Sequence, residues 1–156
     1  MGKKYKLTDE SIKFNNRTLY RIEALKDFGD VEKGDKGGFI EDEHNLSHDG
    51  NSWVCGNGMV YGNGWVCGDG RVCGNGMVCG DAKIENNSDY IVFKNWWSSG
   101  RFFTWTRSND MWSVGCFYGS GEELIKKAYK DSEKSGREYE RVVKYIEEIK
   151  KENYGK

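Results

Sequence analysis

Proline is absent from this chain of 156 residues, and net charge and long apolar runs are nearly so. Without proline or a strict triplet period, 21 glycines do not indicate collagen. A formal net charge of −1 provides no basic field, so direct DNA binding is not expected. No segment approaches the roughly 18 consecutive apolar residues that span a membrane. Seven Phe, six Trp and nine Tyr residues argue against disorder, and the glycines are therefore expected in regular structure.

The chain also lacks an apolar signal core in its first residues, Met1-Gly2-Lys3-Lys4-Tyr5. Its five cysteines, an odd number, are typical of free thiols in a reducing cytoplasm. Four of them recur at spacings of 12, 6 and 6, unlike the close pairs of a structural zinc site. The sequence therefore predicts a cytoplasmic protein without a metal site.

A six-residue repeat runs through the middle of the chain. From position 54 it reads VCGNGM, VYGNGW, VCGDGR, VCGNGM, VCGDAK and IENNSD, with a branched aliphatic residue first. The register extends upstream, so eight hexads span residues 40–89. Each hexad predicts a short strand and a corner at which Asn or Asp adopts the left-handed backbone region and the next, small residue packs closely. These corner residues are Asn57, Asn63, Asp69, Asn75 and Asp81.

Three such sides would close a coil of 18 residues, which is the geometry of a parallel β-helix. A meander of hairpins with Asn-Gly turns is the alternative, although three or four residues between turns are short for its strands. Residues 18 apart then stack on the outside of successive coils. The three outward sides carry Trp53 and Cys55 beside Arg71 and Cys73, Met59 and Tyr61 beside Met77 and Cys79, and Trp65 and Cys67 beside Lys83 and Glu85.

Two consequences follow from this stacking. The side with Met59, Tyr61, Met77 and Cys79 has no charge, which is typical of a contact with another domain or with a second copy in a homo-oligomer. Stacked Cys55 and Cys73 could form a disulfide, but free thiols are expected in a reducing compartment.

The segments on either side of the repeat have different patterns. Residues 12–14 and 18–22 predict a hairpin across Asn15-Asn16 that covers the open end of the coil. After position 89 aromatic residues crowd together, and residues 90–93, 101–107 and 111–117 predict three strands. Capping boxes beginning at Ser120 and Ser135 predict two helices. The expected domains are an N-terminal β cap (1–30), the repeat (31–89) and a small α+β module (90–156).

The hexads resemble those of the hexapeptide-repeat, left-handed β-helix proteins. More narrowly, they look like those of the repeat proteins of phages and prophages, in which the hexads read V-Y-G-N-A-x. The flanking residues 19–28 (LYRIEALKDF) and 34–40 (GDKGGFI) also resemble that group. This chain has Cys and Gly where that group has Tyr and Ala. The resemblance implies a mainly β fold built on a short left-handed parallel β-helix, in a protein made in the cytoplasm of a bacterial host.

The best-known enzymes of the hexapeptide-repeat family are acyltransferases with a catalytic histidine and a coenzyme A groove between trimer subunits. The two histidines here, His44 and His48, precede the regular hexads, and their neighbours Glu43 and Asp49 are ordinary surface residues. Fewer than three coils also leave little room for the coenzyme. The sequence therefore predicts no catalytic residue and no cofactor, with a degenerate acyltransferase as the alternative.

The predicted function is therefore non-enzymatic binding. The phage-type resemblance implies an inhibitor of host defence, whose partner is either a host protein such as a defence nuclease complex, as for anti-CRISPR proteins, or a small nucleotide signal of immunity; no membrane is involved. A virion or assembly protein is a further alternative, because fold alone does not determine function. The predicted binding residues are Trp53, Met59, Tyr61, Trp65, Arg71, Met77, Trp96, Trp97, Arg101 and Arg107.

Overall fold

The computed structural model describes residues 2–153. The outer ends of the first and last predicted domains, residue 1 and residues 154–156, lie outside the described residues. The strands are β1 (Tyr5–Phe14), β2 (Arg17–Ala24), β3 (Lys36–Ile40), β4 (Trp53–Val54), β5 (Met59–Val60), β6 (Trp65–Val66), β7 (Arg71–Val72), β8 (Met77–Val78), β9 (Lys83–Ile84), β10 (Tyr90–Lys94), β11 (Phe102–Thr106), β12 (Met111–Val114) and β13 (Phe117–Gly119). The helices are α1 (Gly121–Asp131) and α2 (Glu133–Asn153).

The N-terminal hairpin, β1 and β2, forms as the sequence predicts. Asn15 and Asn16 both have positive φ, 51° and 67°, as the two central residues of a type I′ turn require. Strand β2 pairs antiparallel with β3, β3 pairs parallel with β5, and β5 pairs parallel with β8. The hairpin is thereby joined edge to edge with the repeat region (residues 40–89) in a mixed sheet of order β1-β2-β3-β5-β8.

Each regular hexad contributes one strand of two residues. These strands pair in parallel with those 18 residues further on, which sets Trp53 beside Arg71, Met59 beside Met77 and Trp65 beside Lys83. The branched first residue of every hexad is fully buried. Together these side chains form the core of the repeat region, since each turn brings the next aliphatic group under the same layer.

The fold class expected from the sequence is wrong. The described residues form a five-stranded mixed sheet, a four-stranded antiparallel sheet and two separate two-stranded parallel sheets, together with two helices; they do not form a parallel β-helix. One physical reason is the antiparallel hairpin, which pairs with β3 and turns one side of the repeat region into a mixed sheet. Another is the length of the hexad strands, because two residues make only a minimal ladder.

The corners of the hexads also differ from the prediction. The left-handed residue is the glycine that precedes Asn or Asp, as at Gly56 (φ 59°) and Gly74 (φ 65°), and not the Asn or Asp itself. The following small residue packs closely, as the sequence predicts: a Cβ on Gly58 would lie 2.6 Å from the carbonyl oxygen of Val72. The two glycines of a hexad therefore have different roles: the first adopts the left-handed backbone conformation, and the second leaves room for the neighbouring backbone.

A buried polar residue closes the repeat region at each end. Asn45, in a 3₁₀ turn (Glu43–Asn45), accepts hydrogen bonds from two backbone N–H groups and donates to the carbonyl oxygens of Gly62 and Gly64. Asp89 ends the equivalent turn (Asn87–Asp89) and accepts from the N–H groups of Glu85 and Asn86. In the sequence, both ends read Ile-Glu with Asn or Asp four residues after the Glu, at 40–45 and 84–89.

The C-terminal unit (residues 90–153) is a four-stranded antiparallel sheet with helices on one face. Phe103, Trp105 and Trp112 point from the sheet into a core shared with the helices. The opposite face lies against the repeat region, where Thr104 Oγ1 accepts from the N–H of Met77 at 2.9 Å. The sheet is thus sandwiched between the helices and the repeat region.

Two details of this unit depart from the sequence prediction. There are four strands instead of three, because the chain reverses at Gly115 (φ 57°) and adds β13. The capping box at Ser120 precedes α1 as predicted. The second helix begins at Glu133, before the predicted start, because Ser132 Oγ accepts from the N–H of Ser135 and places Ser135 inside the helix.

The cysteine prediction is wrong for one pair. Cys55 and Cys73 form a disulfide between strands that pair 18 residues apart, with a Cα–Cα distance of 4.6 Å. Cys67, Cys79 and Cys116 are free. The parallel register brings Cys55 and Cys73 together. The sequence prediction gave more weight to a reducing compartment than to this stacking.

Lys4 is fully buried, and its Nζ donates to the carbonyl oxygen of Ser52 at 2.7 Å. Burial, aided by the charge of Lys26, lowers its pKa from 10.5 to about 8. Between these values the unfolded chain binds more protons than the folded one, so the contribution of Lys4 to the free energy of unfolding rises with pH.

Replacing Lys4 by methionine removes this titrating group. From pH 7 to pH 9.5, we expect the free energy of unfolding of the wild type to rise relative to that of Lys4→Met by about 1 kcal/mol, as measured by urea titrations. A difference that is constant across this range contradicts the prediction.

Candidate functional site

A groove of about 470 Å³ lies where the N-terminal hairpin, the repeat region and the C-terminal unit meet. Its volume falls in the range of roughly 300–1,000 Å³ that is usual for small-molecule sites. The repeat region and the C-terminal unit each contribute one wall, and the hairpin closes one end. The groove therefore depends on how the parts are assembled, and no single segment of the sequence contains it.

The repeat region supplies a wall of two identical rungs. Met59 and Met77 lie side by side in the pair β5–β8, and Asn57 and Asn75 precede them in the same two hexads. Both asparagines are exposed, and within residues 2–153 their side-chain amides make no hydrogen bond. This wall therefore offers an apolar, polarisable surface beside unoccupied amide donors and acceptors.

The C-terminal unit supplies the opposite wall. Phe102, which is 37% exposed, begins β11, and Arg101 precedes it. The guanidinium of Arg101 lies against Gly115, where a Cβ would overlap it. In the described part of the chain, this guanidinium has no hydrogen bond or ion pair. The wall thus combines an aromatic face with a positive charge that nothing neutralises by direct contact.

The tip of the N-terminal hairpin closes one end of the groove. Asn15 Nδ2 donates to the carbonyl oxygen of Gly115 at 3.2 Å, which links the hairpin to the turn between β12 and β13. The neighbouring Phe14 packs edge to face on Tyr61, with ring centroids 5.5 Å apart. The hairpin, predicted only as a cover for the end of a coil, therefore also shapes a binding surface.

A second, more enclosed cavity of about 290 Å³ adjoins the groove and shares Arg101 and Cys116 with it. Serine residues and Tyr139 line it, together with the pair Lys127–Asp131, whose charged atoms are 3.5 Å apart. Its remaining lining includes the apolar residues Val114, Phe117, Leu124 and Ala128. Burial raises the pKa of Tyr139, against the lowering effects of a hydrogen bond with Asn95 and of the Arg101 charge. We refer to this second cavity as the polar cavity.

Three of the predicted binding residues, Met59, Met77 and Arg101, line the groove. Met77 is 4% exposed, so of the two methionines it is mainly Met59 that presents surface there. Trp53 and Tyr61 are buried and do not line the groove: Trp53 packs on Tyr5 and Phe28, with ring centroids 6.4 and 5.2 Å apart. Since a buried ring is not available to a partner, Trp53 and Tyr61 belong to the core.

The other predicted residues lie outside the groove. Arg71 pairs with Asp30 at 2.6 Å, and Arg107 pairs with Asp89 at 3.2 Å. Trp97 is half-buried and donates to Ser135 Oγ, whereas its neighbour Trp96 is 66% exposed beside Lys134. Trp65 is exposed on a different side of the repeat region, with the Lys83 ammonium 5.1 Å from its ring centroid.

The uncharged side of the repeat region is covered mainly by this chain. The backbone N–H of Met77 donates to Thr104 Oγ1 of the C-terminal unit, and the thiol of Cys79 lies 3.2 Å from Ser113 Oγ. Tyr61 packs under Phe14 of the hairpin. The sequence pattern indicated a contact with another domain or a second copy, and within the described residues this side contacts the C-terminal unit and the hairpin. The homo-oligomer stays a prediction.

Sequence reasoning missed seven groove residues: Phe14, Asn15, Asn57, Asn75, Phe102, Gly115 and Cys116. One signal could have found two of them, since hexads 54–59 and 72–77 are both VCGNGM and lie one full period apart. Identical rungs are therefore stacked at the groove wall. The others come from distant segments whose convergence only the fold shows.

Both histidines make structural contacts. His44 Nε2 lies 2.7 Å from the carbonyl oxygen of Gly62. His48 stacks on Tyr5 with centroids 4.1 Å apart, accepts from the N–H of Lys4 and lies 2.9 Å from Glu43 Oε1. The hydrogen bonds that Glu43 makes with His48 and Lys3 lower its pKa. Among residues 2–153, no three His, Cys, Asp or Glu side chains are grouped to hold a metal ion.

No family model matches the chain, and no significantly similar sequence is found among the curated proteins. Neither described helix is long and apolar enough to cross a membrane. Function must therefore be argued from the groove itself.

Proposed function

We propose that this chain is a non-enzymatic, phage-type binding protein that captures a small signal molecule of host defence in the cytoplasm of a bacterial cell. The groove carries the proposal. It has the volume of a small-molecule site, a mostly apolar wall, and a few polar groups without partners at its rim. A protein that works by sequestration needs such a pocket and no reacting groups.

The alternative of a degenerate acyltransferase has less support. A general base must reach its substrate in a cleft. His44 and His48 instead hold backbone and ring contacts at the start of the repeat region, away from the groove. A catalytic role would require these contacts to be given up.

Inhibition of a host protein is the second candidate, and one observation favours it. Trp96 is 66% exposed at the tip of the loop after β10, and large exposed aromatics are typical anchors of protein interfaces. The groove is the stronger feature, because it combines shape with several groups of different chemistry, whereas Trp96 is a single side chain.

The test fills the groove with one side chain. We expect Asn57→Trp to reduce the small molecule that co-purifies from defence-active host cells by about tenfold or more, because the indole occupies the space between the two walls. Asn63→Trp is the matched control: it has the same Gly-Asn-Gly setting one hexad later, is exposed, and lies outside the groove. The measurement is mass spectrometry of the ligand released from equal amounts of each folded protein.

Three results would overturn the proposal. Equal ligand in both variants would place the binding elsewhere. A host protein retained by both variants but lost in Trp96→Ala would support protein inhibition. Co-sedimentation with phage particles, without a small ligand, would support a virion or assembly role.

A further inference from the structure

We propose that the captured molecule is a free nucleotide whose base lies in the groove and whose phosphate enters the polar cavity past Arg101. This inference rests on the proposed function and adds the ligand's chemical class and orientation. The two cavities share Arg101 and Cys116, so one ligand with two unlike halves can extend from one to the other.

The groove has the groups that recognise a base. Phe102 presents an exposed ring, and base–aromatic stacking contributes roughly 1–3 kcal/mol per base. The partly exposed Met59, with Met77 behind it, adds a polarisable thioether to the same groove. Asn57 and Asn75 add amides that can both donate and accept, as the edge of a base requires.

The polar cavity has the groups that hold a phosphate. Arg101 supplies a planar, always charged fork that suits phosphate oxygens. Ser98, Ser99 and Ser132 bring hydroxyl groups to the same lining. Lys127 adds a second cation, although Asp131 at 3.5 Å balances it, so Arg101 is the cation left to pair with a ligand.

The geometry also argues against a nucleic-acid strand. The polar cavity is more enclosed than the groove, and its lining includes Leu124 and Ala128 of α1. A polynucleotide would need its backbone to continue beyond the phosphate, along a basic path. The net charge of the chain, −1, supplies no general attraction for such a strand.

The experiment is a calorimetric titration of the purified protein with defined probes. They are AMP, GMP, cyclic di-AMP and cyclic di-GMP, together with adenosine, guanosine, inorganic phosphate and a short single-stranded oligonucleotide. We expect at least one nucleotide to bind at least tenfold more tightly than its nucleoside and than phosphate. Arg101→Gln is expected to remove this tenfold advantage, whereas Phe102→Ala weakens nucleotide and nucleoside alike. Arg137→Gln, an exposed arginine on α2, is the charge-matched control and is expected to bind as the wild type does.

The outcomes separate this inference from the proposed function. Equal affinity for nucleotide and nucleoside, no effect of Arg101→Gln, tighter binding of phosphate alone, or tighter binding of the oligonucleotide overturns the nucleotide assignment. If no nucleotide binds while a different small molecule is displaced by Asn57→Trp, the proposed function stands and the nucleotide fails. If neither probes nor host cells provide a groove ligand, both fail.

Discussion

Replacing Trp105 by alanine is expected to lower the free energy of unfolding by about 3–5 kcal/mol. Its ring is fully buried between the sheet and the helices, and its Nε1 donates to Asp110 Oδ1 at 2.8 Å. The substitution leaves a cavity in the core that joins the two helices to the sheet, and it also removes a hydrogen bond. For a chain of this length, the loss corresponds to a fall in Tm of roughly 6–20 °C.

Trp96→Ala is the matched control for this prediction. It removes the same side chain from a position that is 66% exposed, and its effect is expected to stay within about 0.5 kcal/mol. Urea titrations followed by far-UV circular dichroism measure both variants. A loss below about 1 kcal/mol for Trp105→Ala would show that the sheet and the helices do not share the core described here.

Asn45→Leu is the second substitution expected to be severe. The amide of Asn45 is fully buried, and it satisfies two backbone N–H groups and the carbonyl oxygens of Gly62 and Gly64. Leucine has nearly the same size but cannot form hydrogen bonds, so these groups would be left unpaired at about 1–3 kcal/mol for each one that water does not reach. We expect a total loss of about 3 kcal/mol or more.

The control for this effect is Asn63→Leu, at an exposed corner of the next hexad turn. Its expected change is within about 0.5 kcal/mol. The two variants are compared in the same denaturant titration, with hydrogen exchange of the amides of Glu41 and Asp42 as a local readout. Comparable stabilities would mean that the buried amide is not what secures this end of the repeat region.

The sequence supports local predictions here better than global ones. The Asn15-Asn16 turn, the capping box at Ser120 and the burial of the branched hexad residues follow from short-range chemistry, and they are found in the structure. The same repeat did not predict how its sides join other segments. The antiparallel pairing of β2 with β3 depends on which strand edges meet in the folded chain, and short-range sequence patterns do not encode this. That pairing changes the fold class.

The groove shows the same limit from the side of function. Met77 and Arg101 were identified individually as binding residues, but nothing in their spacing places them around one space. Phe102 was not identified from the sequence as a binding residue at all. Its position beside the repeat region depends on which face of the C-terminal sheet meets that region, and this is decided by long-range packing.

The stacked rungs at the groove wall have a consequence for how such a site can change over time. Because Asn57 and Asn75 are one 18-residue period apart, the depth of the wall is counted in whole periods. Duplication of three hexads would add a third Asn–Met rung and leave the hairpin and the C-terminal unit with unchanged local sequences. Ligand size could in this way be altered by copying DNA, before any side chain in the site mutates.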